Sequence, residues 1–217
     1  MNPDQWRTYL ITQESLSEGR STVEIAEAAL EGGVDVVQLR EKGADTRTRY
    51  ELGRQLRELT TEADADLLVN DRVDLAHALG ADGVHLGQSD LPVSAAREIL
   101  GPEATIGASV STVSEARLAA ITGADYLGVG AVYGTDSKSD AETADDGLGV
   151  EHLAKIAGAV RIPVVAIGGI TPDNAAETIN AGASSVAVIS AITAADDPAD
   201  AARELRAAVD TETVDDE

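Results

Sequence analysis

Two short apolar runs in the first half of the chain each end in a carboxylate. The first, Leu67-Leu68-Val69, leads into Asn70-Asp71-Arg72. The second, Gly83-Val84-His85-Leu86, leads into Gly87-Gln88-Ser89-Asp90. If neighbouring parallel strands carry these runs, Asp71 and Asp90 emerge at the same end of a sheet. Two carboxylates at one rim, beside an Asn and open backbone, suit Mg²⁺. That ion takes one or two protein carboxylates and leaves its other positions to water and phosphate oxygens. Taken singly, each aspartate also reads as a helix cap, Asp71 for a helix starting near Arg72 and Asp90 for one starting near Pro92. A capping role does not exclude metal binding.

Cations follow another apolar run. Arg40 and Lys42 alternate after Val34–Leu39, and a period of two puts them on one side if the chain stays extended. Arg grips phosphate through two parallel donors and Lys adds a point charge. The competing reading is an exposed loop paired with Glu41. Lys42, Lys138 and Lys155 are the only lysines of the chain. Lys138 closes the stretch Gly130-Ala-Val-Tyr133-Gly134-Thr135-Asp136-Ser137-Lys138, in which the hydroxyls of Thr135 and Ser137 join the ammonium as phosphate donors. This stretch opens the longest loop, a polar segment able to close over a substrate; residues 139–148 read as an acidic insertion. Gly168-Gly169 and Ile189-Ser190 follow two further runs. They read either as tight turns or as backbone cradles for a phosphate. His85 stands alone near a strand end and His77 and His152 fall on helices, so no histidine is assigned a catalytic role.

These residues need a scaffold that gathers strand ends. Apolar runs recur at Thr8–Thr12, Val34–Leu39, Leu67–Val69, Gly83–Leu86, Thr105–Ala108, Tyr126–Val129, Pro163–Ile167 and Ser185–Ile189, with helical periodicity between them. Ser21 with Glu24 is a capping-box start, and Thr171-Pro172 and Asp197-Pro198 open later helices. Strand–helix units repeated eight times predict an α/β chain folded as a (β/α)₈ TIM barrel over residues 1–210. Residues 211–217 read as an acidic, disordered tail. A doubly wound open sheet would give the same local pattern. The strands are apolar throughout, as parallel strands buried on both faces must be. Aromatic residues make up only 2% of the chain, so Val, Ile, Leu and Ala are expected to fill the barrel. Active sites of such barrels lie at the C-terminal strand ends. Those ends here are polar or glycine.

Composition narrows the function classes. The chain has 217 residues and no cysteine, which excludes disulfides and thiolate metal sites. The net charge of −23 argues against nucleic-acid partners, whose backbones call for clustered Lys and Arg. It suits an acidic, halophilic-type surface in concentrated salt, where screening makes self-repulsion tolerable. The N-terminus lacks a signal pattern and no run reaches a membrane-spanning length. A cytoplasmic protein without a membrane partner is expected.

The motifs together carry a resemblance. Tyr9-Leu-Ile-Thr12, Val37-Gln-Leu-Arg-Glu-Lys42, Asn70-Asp-Arg-Val-Asp-Leu-Ala76, Gly83-Val-His-Leu-Gly-Gln88 with Asp90, Gly107-Ala-Ser109, Asp125-Tyr-Leu-Gly-Val-Gly130, Thr135 to Lys138, Ala166-Ile-Gly-Gly-Ile170 and Val188-Ile-Ser190 span residues 9–190. In this order the chain resembles the thiamine-phosphate synthase (thiamine-phosphate pyrophosphorylase) family of thiamine biosynthesis. The resemblance implies a transferase that joins 4-amino-2-methyl-5-hydroxymethylpyrimidine diphosphate to 4-methyl-5-(2-phosphoethyl)thiazole, or its carboxylated form, giving thiamine phosphate and diphosphate. It implies that Asp71 and Asp90 hold Mg²⁺. It places Gln38, Arg40, Glu41, Lys42, Asn70, Ser109 and Lys138 on the pyrimidine diphosphate, and Thr135, Ser137, Gly169, Ile189 and Ser190 on the thiazole phosphate. The partners are then small phosphorylated molecules, and a homo-oligomer stays open. The family usually shows two threonines flanking a proline before the lysine. Here Ser137 keeps a hydroxyl, while Asp136 brings negative charge beside an anionic substrate. The alternatives are a thiazole tautomerase, which does no diphosphate chemistry, and a non-catalytic barrel that binds thiazole phosphate.

Overall fold

The computed structural model describes residues 2–134 and 147–210. Eight parallel strands close into a barrel in sequence order. They are β1 (Thr8–Ile11), β2 (Val36–Leu39), β3 (Asp66–Asn70), β4 (Gly83–Leu86), β5 (Thr105–Val110), β6 (Tyr126–Gly130), β7 (Val164–Ile167) and β8 (Ser185–Val188). The final pairing, Thr8 beside Val186, rules out the open sheet. The helices are α1 (Thr22–Glu31), α2 (Thr46–Glu62), α3 (Val73–Leu79), α4 (Val93–Leu100), α5 (Val113–Ile121), α6 (Val150–Ala157), α7 (Pro172–Asn180), the one-turn α8 (Ser190–Thr193) and α9 (Pro198–Asp210). No helix among the described residues is long and apolar enough to cross a membrane. The 211–217 tail and the 139–146 part of the long loop lie outside the described residues.

Strand geometry explains the unbroken apolar runs. Successive side chains point to opposite faces. Leu10, Val37, Leu67, Val69, Val84 and Ile106 face the helices. Tyr9, Ile11, Val36, Leu68, Val165 and Ala187 fill the lumen. Helix starts follow the sequence signals. Ser21 and Thr112 form capping boxes with Glu24 and Glu115, and Thr171 does so with Asn174.

The filling of the lumen differs from expectation. Its lower part is aromatic: Trp6, Tyr9 and Tyr126 are all fully buried, and Trp6 meets both tyrosine rings edge to face at 5.8 and 5.0 Å. Trp6 Nε1 donates to Asp66 Oδ2 at 2.8 Å. Few aromatic residues suffice because they are concentrated, and glycine makes room for them. A Cβ on Gly107 would lie 2.1 Å from the Tyr126 ring, and one on Gly128 would lie 2.7 Å from the His85 ring.

The bottom of the barrel is held by a repeated clamp. Asp35 Oδ2, just before β2, accepts from the N–H groups of Arg7 and Thr8 at the start of β1 at 2.7 and 2.9 Å. Asp82 Oδ2, before β4, accepts from Leu67 N on β3 at 2.7 Å. Asp125 Oδ2, before β6, accepts from Ile106 N on β5 at 2.7 Å. Ser184, before β8, takes the same place with a longer bond of 3.4 Å from Val164 N on β7. Each aspartate also meets an arginine from a helix: Arg206, Arg57 and Arg97 respectively. These are donors at strand starts that no neighbouring strand would satisfy.

Candidate active site

The opposite, C-terminal face holds a cavity of about 580 Å³. Of the expected site residues, it brings together Gln38, Arg40, Lys42, Asn70, Asp71, Asp90, Ser109, Gly169, Ile189 and Ser190. Thr135, Ser137 and Lys138 lie outside the described residues.

The alternation of β2 decides the first group. Gln38, Arg40 and Lys42 line the cavity, whereas Leu39 and Glu41 do not. Arg40 is only 6% exposed. Its N–H donates to Thr12 Oγ1 at 3.0 Å and its Nη1 to Gln13 Oε1 at 3.0 Å, which pins the guanidinium below the rim. Glu41 falls on the other side of the strand. Its buried carboxylate accepts from Glu14 N at 3.1 Å and from the Thr22 hydroxyl at 2.9 Å. It braces the loop that carries its two cationic neighbours. The same period of two that selected Arg40 and Lys42 already set Glu41 apart.

Asp71 sits in a tight turn after β3. Arg72 N–H donates to Asn70 O at 2.7 Å, Asp71 N–H donates to His85 O at 2.9 Å, and Asp71 has φ 64°. This left-handed conformation costs a non-glycine residue roughly 1–2 kcal/mol. Such a cost persists where the surroundings enforce it, and functional sites are where it collects. Asp90 closes its own turn, its Oδ2 accepting from Gly87 N at 2.7 Å. Neither aspartate caps a helix: α3 and α4 start from Arg72 and Pro92, and neither has a side-chain cap. The two carboxyl groups lie within hydrogen-bonding reach of each other. Burial, then the hydrogen bond and charge of Asp90, push the Asp71 carboxyl above the usual carboxylate range, and Lys42 and Arg40 partly offset this. Lys42 Nζ stands 3.6 Å from Asp71 Oδ2. Two crowded carboxylates in want of positive charge fit a hard divalent cation. No group of three or more His, Cys, Asp or Glu suited to a metal occurs among the described residues. A divalent cation at this pair would draw its remaining donors from water and a phosphorylated ligand.

The far wall comes from the last strands. Gly169 has φ 66°, and a Cβ there would lie 2.6 Å from Gly134 O. Asn174, at the start of α7, donates to Gly169 O at 3.0 Å and accepts from Thr171 N at 2.9 Å. After β8, Ile189 leads into α8, whose first residue is Ser190. A short extra helix after the eighth strand is where barrels of this type often place a phosphate. The sequence did not disclose α8, since a single turn has no periodicity to read.

This arrangement has known counterparts. The model of the thiamine monophosphate synthase family matches residues 8–192. The chain belongs to that family. The thiamine-phosphate synthase of Haloarcula marismortui is 60% identical over 205 residues, covering 94% of this chain and 97% of that one. The enzyme of the same name from Haloquadratum walsbyi is 59% identical over 209 residues, covering 96% and 93%. Among solved structures, thiamine phosphate pyrophosphorylase from Pyrococcus furiosus superposes with a TM-score of 0.86 at 46% identity, covering 96% of this chain and 97% of that one. The chain is thus an enzyme, a transferase of the thiamine-phosphate synthase kind.

In this family member the cavity holds further polar residues that the sequence reading left unassigned. Tyr9, His85, Gln88 and Tyr126 all line it. Gln88 Nε2 donates to Ser109 O at 2.6 Å, and His85 Nε2 lies 2.8 Å from Ser109 Oγ. His85 sits two residues before Gly87 on a strand whose lumen face is otherwise glycine. That spacing was the available signal.

Proposed function

We propose that the cavity binds 4-amino-2-methyl-5-hydroxymethylpyrimidine diphosphate and a thiazole phosphate together and joins them as thiamine phosphate, releasing diphosphate. The observation that carries this reading is the Asp71–Asp90 pair beside Arg40 and Lys42 at one rim of the cavity. Asp71 and Asp90 would hold Mg²⁺, which supplies charge neutralisation at a departing diphosphate.

The chain's own residues supply the rest. Arg40, tethered by Gln13 and Thr12, presents fixed donors to phosphoryl oxygens, and Lys42 adds a mobile charge. Asn70 and Ser109 extend the polar wall toward the pyrimidine, with Gln38 at the floor. Lys138 is assigned to the diphosphate. Thr135, Ser137, Gly169, Ile189 and Ser190 are assigned to the thiazole phosphate. The C–O bond to diphosphate breaks, the resulting pyrimidine cation is stabilised by its amino-substituted ring, and the thiazole nitrogen forms the new C–N bond. No protein nucleophile or strong base is needed. Alignment of the two substrates and charge stabilisation carry the catalysis. The acidic surface marks an enzyme that works in concentrated salt, where the field opposing two anionic substrates is screened.

The test is product formation by the purified protein in high salt with both substrates, with and without Mg²⁺. Thiamine phosphate appearing only with Mg²⁺ supports the synthase. Isomerisation of the thiazole without condensation would assign a tautomerase, and binding without turnover a sensor.

A further inference from the structure

A chain of hydrogen bonds crosses the cavity floor from one side of the barrel to the other. Gln38 Nε2 on β2 donates to Tyr9 Oη on β1. Tyr9 Oη and Tyr126 Oη on β6 lie 3.1 Å apart. Tyr126 Oη is 2.8 Å from His85 Nδ1 on β4, and His85 Nε2 is 2.8 Å from Ser109 Oγ on β5. All five residues line the cavity. Desolvation raises both phenol pKa values, so each tyrosine keeps one hydrogen to give.

Counting those hydrogens leaves two self-consistent directions. In the first, Tyr9 accepts from the Gln38 amide and gives its own hydrogen to Tyr126. Tyr126 then gives its hydrogen to His85 Nδ1. A neutral imidazole that accepts at Nδ1 carries its hydrogen on Nε2 and donates it to Ser109. Ser109 is left with a hydrogen to offer the cavity, and Gln38 with a carbonyl oxygen. The reverse direction is equally satisfied and inverts both ends together. Any mixed state sets two donors or two acceptors against each other in a buried place, at a cost of about 1–3 kcal/mol.

We propose that Tyr9, Tyr126 and His85 are positioning residues that couple Gln38 to Ser109, so that the two must read opposite hydrogen-bonding character in one ligand ring. This rests on the reading above that the pyrimidine lies on Gln38 and Ser109. An aminopyrimidine meets the condition, with an amino donor for Gln38 and a ring-nitrogen acceptor for Ser109. A 4-methoxy analogue has no N–H, offers acceptors at both places and fails the condition in either direction. The relay therefore rejects the methoxy ring without any contact that repels it directly.

The experiment compares the pyrimidine diphosphate with its 4-methoxy analogue in the wild type, Tyr126→Phe, Ser109→Ala and the double variant. In Tyr126→Phe the KM for the aminopyrimidine should rise roughly tenfold and the amino-over-methoxy preference should fall roughly tenfold, while the KM for the thiazole phosphate holds. Adding Ser109→Ala to Tyr126→Phe should cost far less than Ser109→Ala alone. Tyr9→Phe cuts the relay at another link and should reproduce the lost preference; it decides the matter if Tyr126→Phe does not fold by circular dichroism. An amino-over-methoxy preference retained in the folded Phe variants, or strictly additive effects, would overturn the coupling while leaving the synthase reading intact. If the wild type forms no thiamine phosphate, that reading fails by itself. Calorimetric binding of the two pyrimidine diphosphates to the same variants then tests the relay directly.

Discussion

At the residue scale, the site is built by alternation and by one tight turn. Gln38, Arg40 and Lys42 reach the cavity because each is two residues from the last. Arg40 is the most constrained of them, buried and tied to Gln13 and Thr12. A lysine in its place would keep a charge but lose the planar fork that binds Gln13 and, in the proposed role, grips the diphosphate at once. Arg40→Lys should lower kcat/KM for the pyrimidine diphosphate about 10- to 100-fold with an unchanged circular dichroism spectrum. Steady-state kinetics check this, and wild-type kcat/KM would contradict it. The charged rim was legible in the sequence because Asp71, Asp90, Arg40 and Lys42 follow apolar runs at strand-end spacing. The cavity floor was not. Tyr9 and Tyr126 meet across 117 positions of sequence, and only the closed barrel and the absence of side chains at Gly107 and Gly128 put them together.

At the scale of elements, function and stability sit at opposite ends of the same strands. The C-terminal ends carry the polar cavity. The N-terminal ends carry the clamps of Asp35, Asp82, Asp125 and Ser184, each tying an even strand to the odd strand before it. Asp125→Ala leaves the Ile106 N–H without its acceptor and Arg97 without its anion. The cost is about 1–2 kcal/mol, since the group is only partly buried, and for a chain of this size that lowers Tm by roughly 2–8 °C. Thermal melts should show this fall with kcat preserved at 25 °C. An unchanged Tm would mean water replaces the clamp at no loss. The strands, their order and eight of the nine helices among the described residues were readable from periodicity, glycine stops and caps. The clamps recur as Gly-x-Asp or Gly-Ala-Ser just before even strands, yet the repeat acquires meaning only when pairing shows which N–H each side chain meets.

At the scale of the whole molecule, the charge of −23 supports the proposal of an enzyme working in concentrated salt. The Debye length shrinks from about 30 Å at 0.01 M salt to about 3 Å at 1 M, so repulsion across the surface is strong in one and nearly gone in the other. Tm should therefore climb steeply with NaCl up to molar concentration, and the KM values of both anionic substrates should fall over the same range. A Tm independent of salt would remove the argument from surface charge. The attraction of the buried Arg40 is screened less than the exposed acidic field. Added salt should for that reason favour binding here, opposite to its usual effect on anion-binding sites.

The central claim is that Asp71 and Asp90 share one divalent cation beside Arg40 and Lys42. It is tested most directly by titrating Mn²⁺, as a spin-active stand-in for Mg²⁺, into the protein saturated with pyrimidine diphosphate and without the thiazole. Electron paramagnetic resonance then reads bound against free ion in the wild type, Asp71→Asn and Asp90→Asn. The account predicts a single tightly held ion in the wild type and at least tenfold weaker binding in each variant, with the fold unchanged. Equal Mn²⁺ affinity in all three proteins would contradict it.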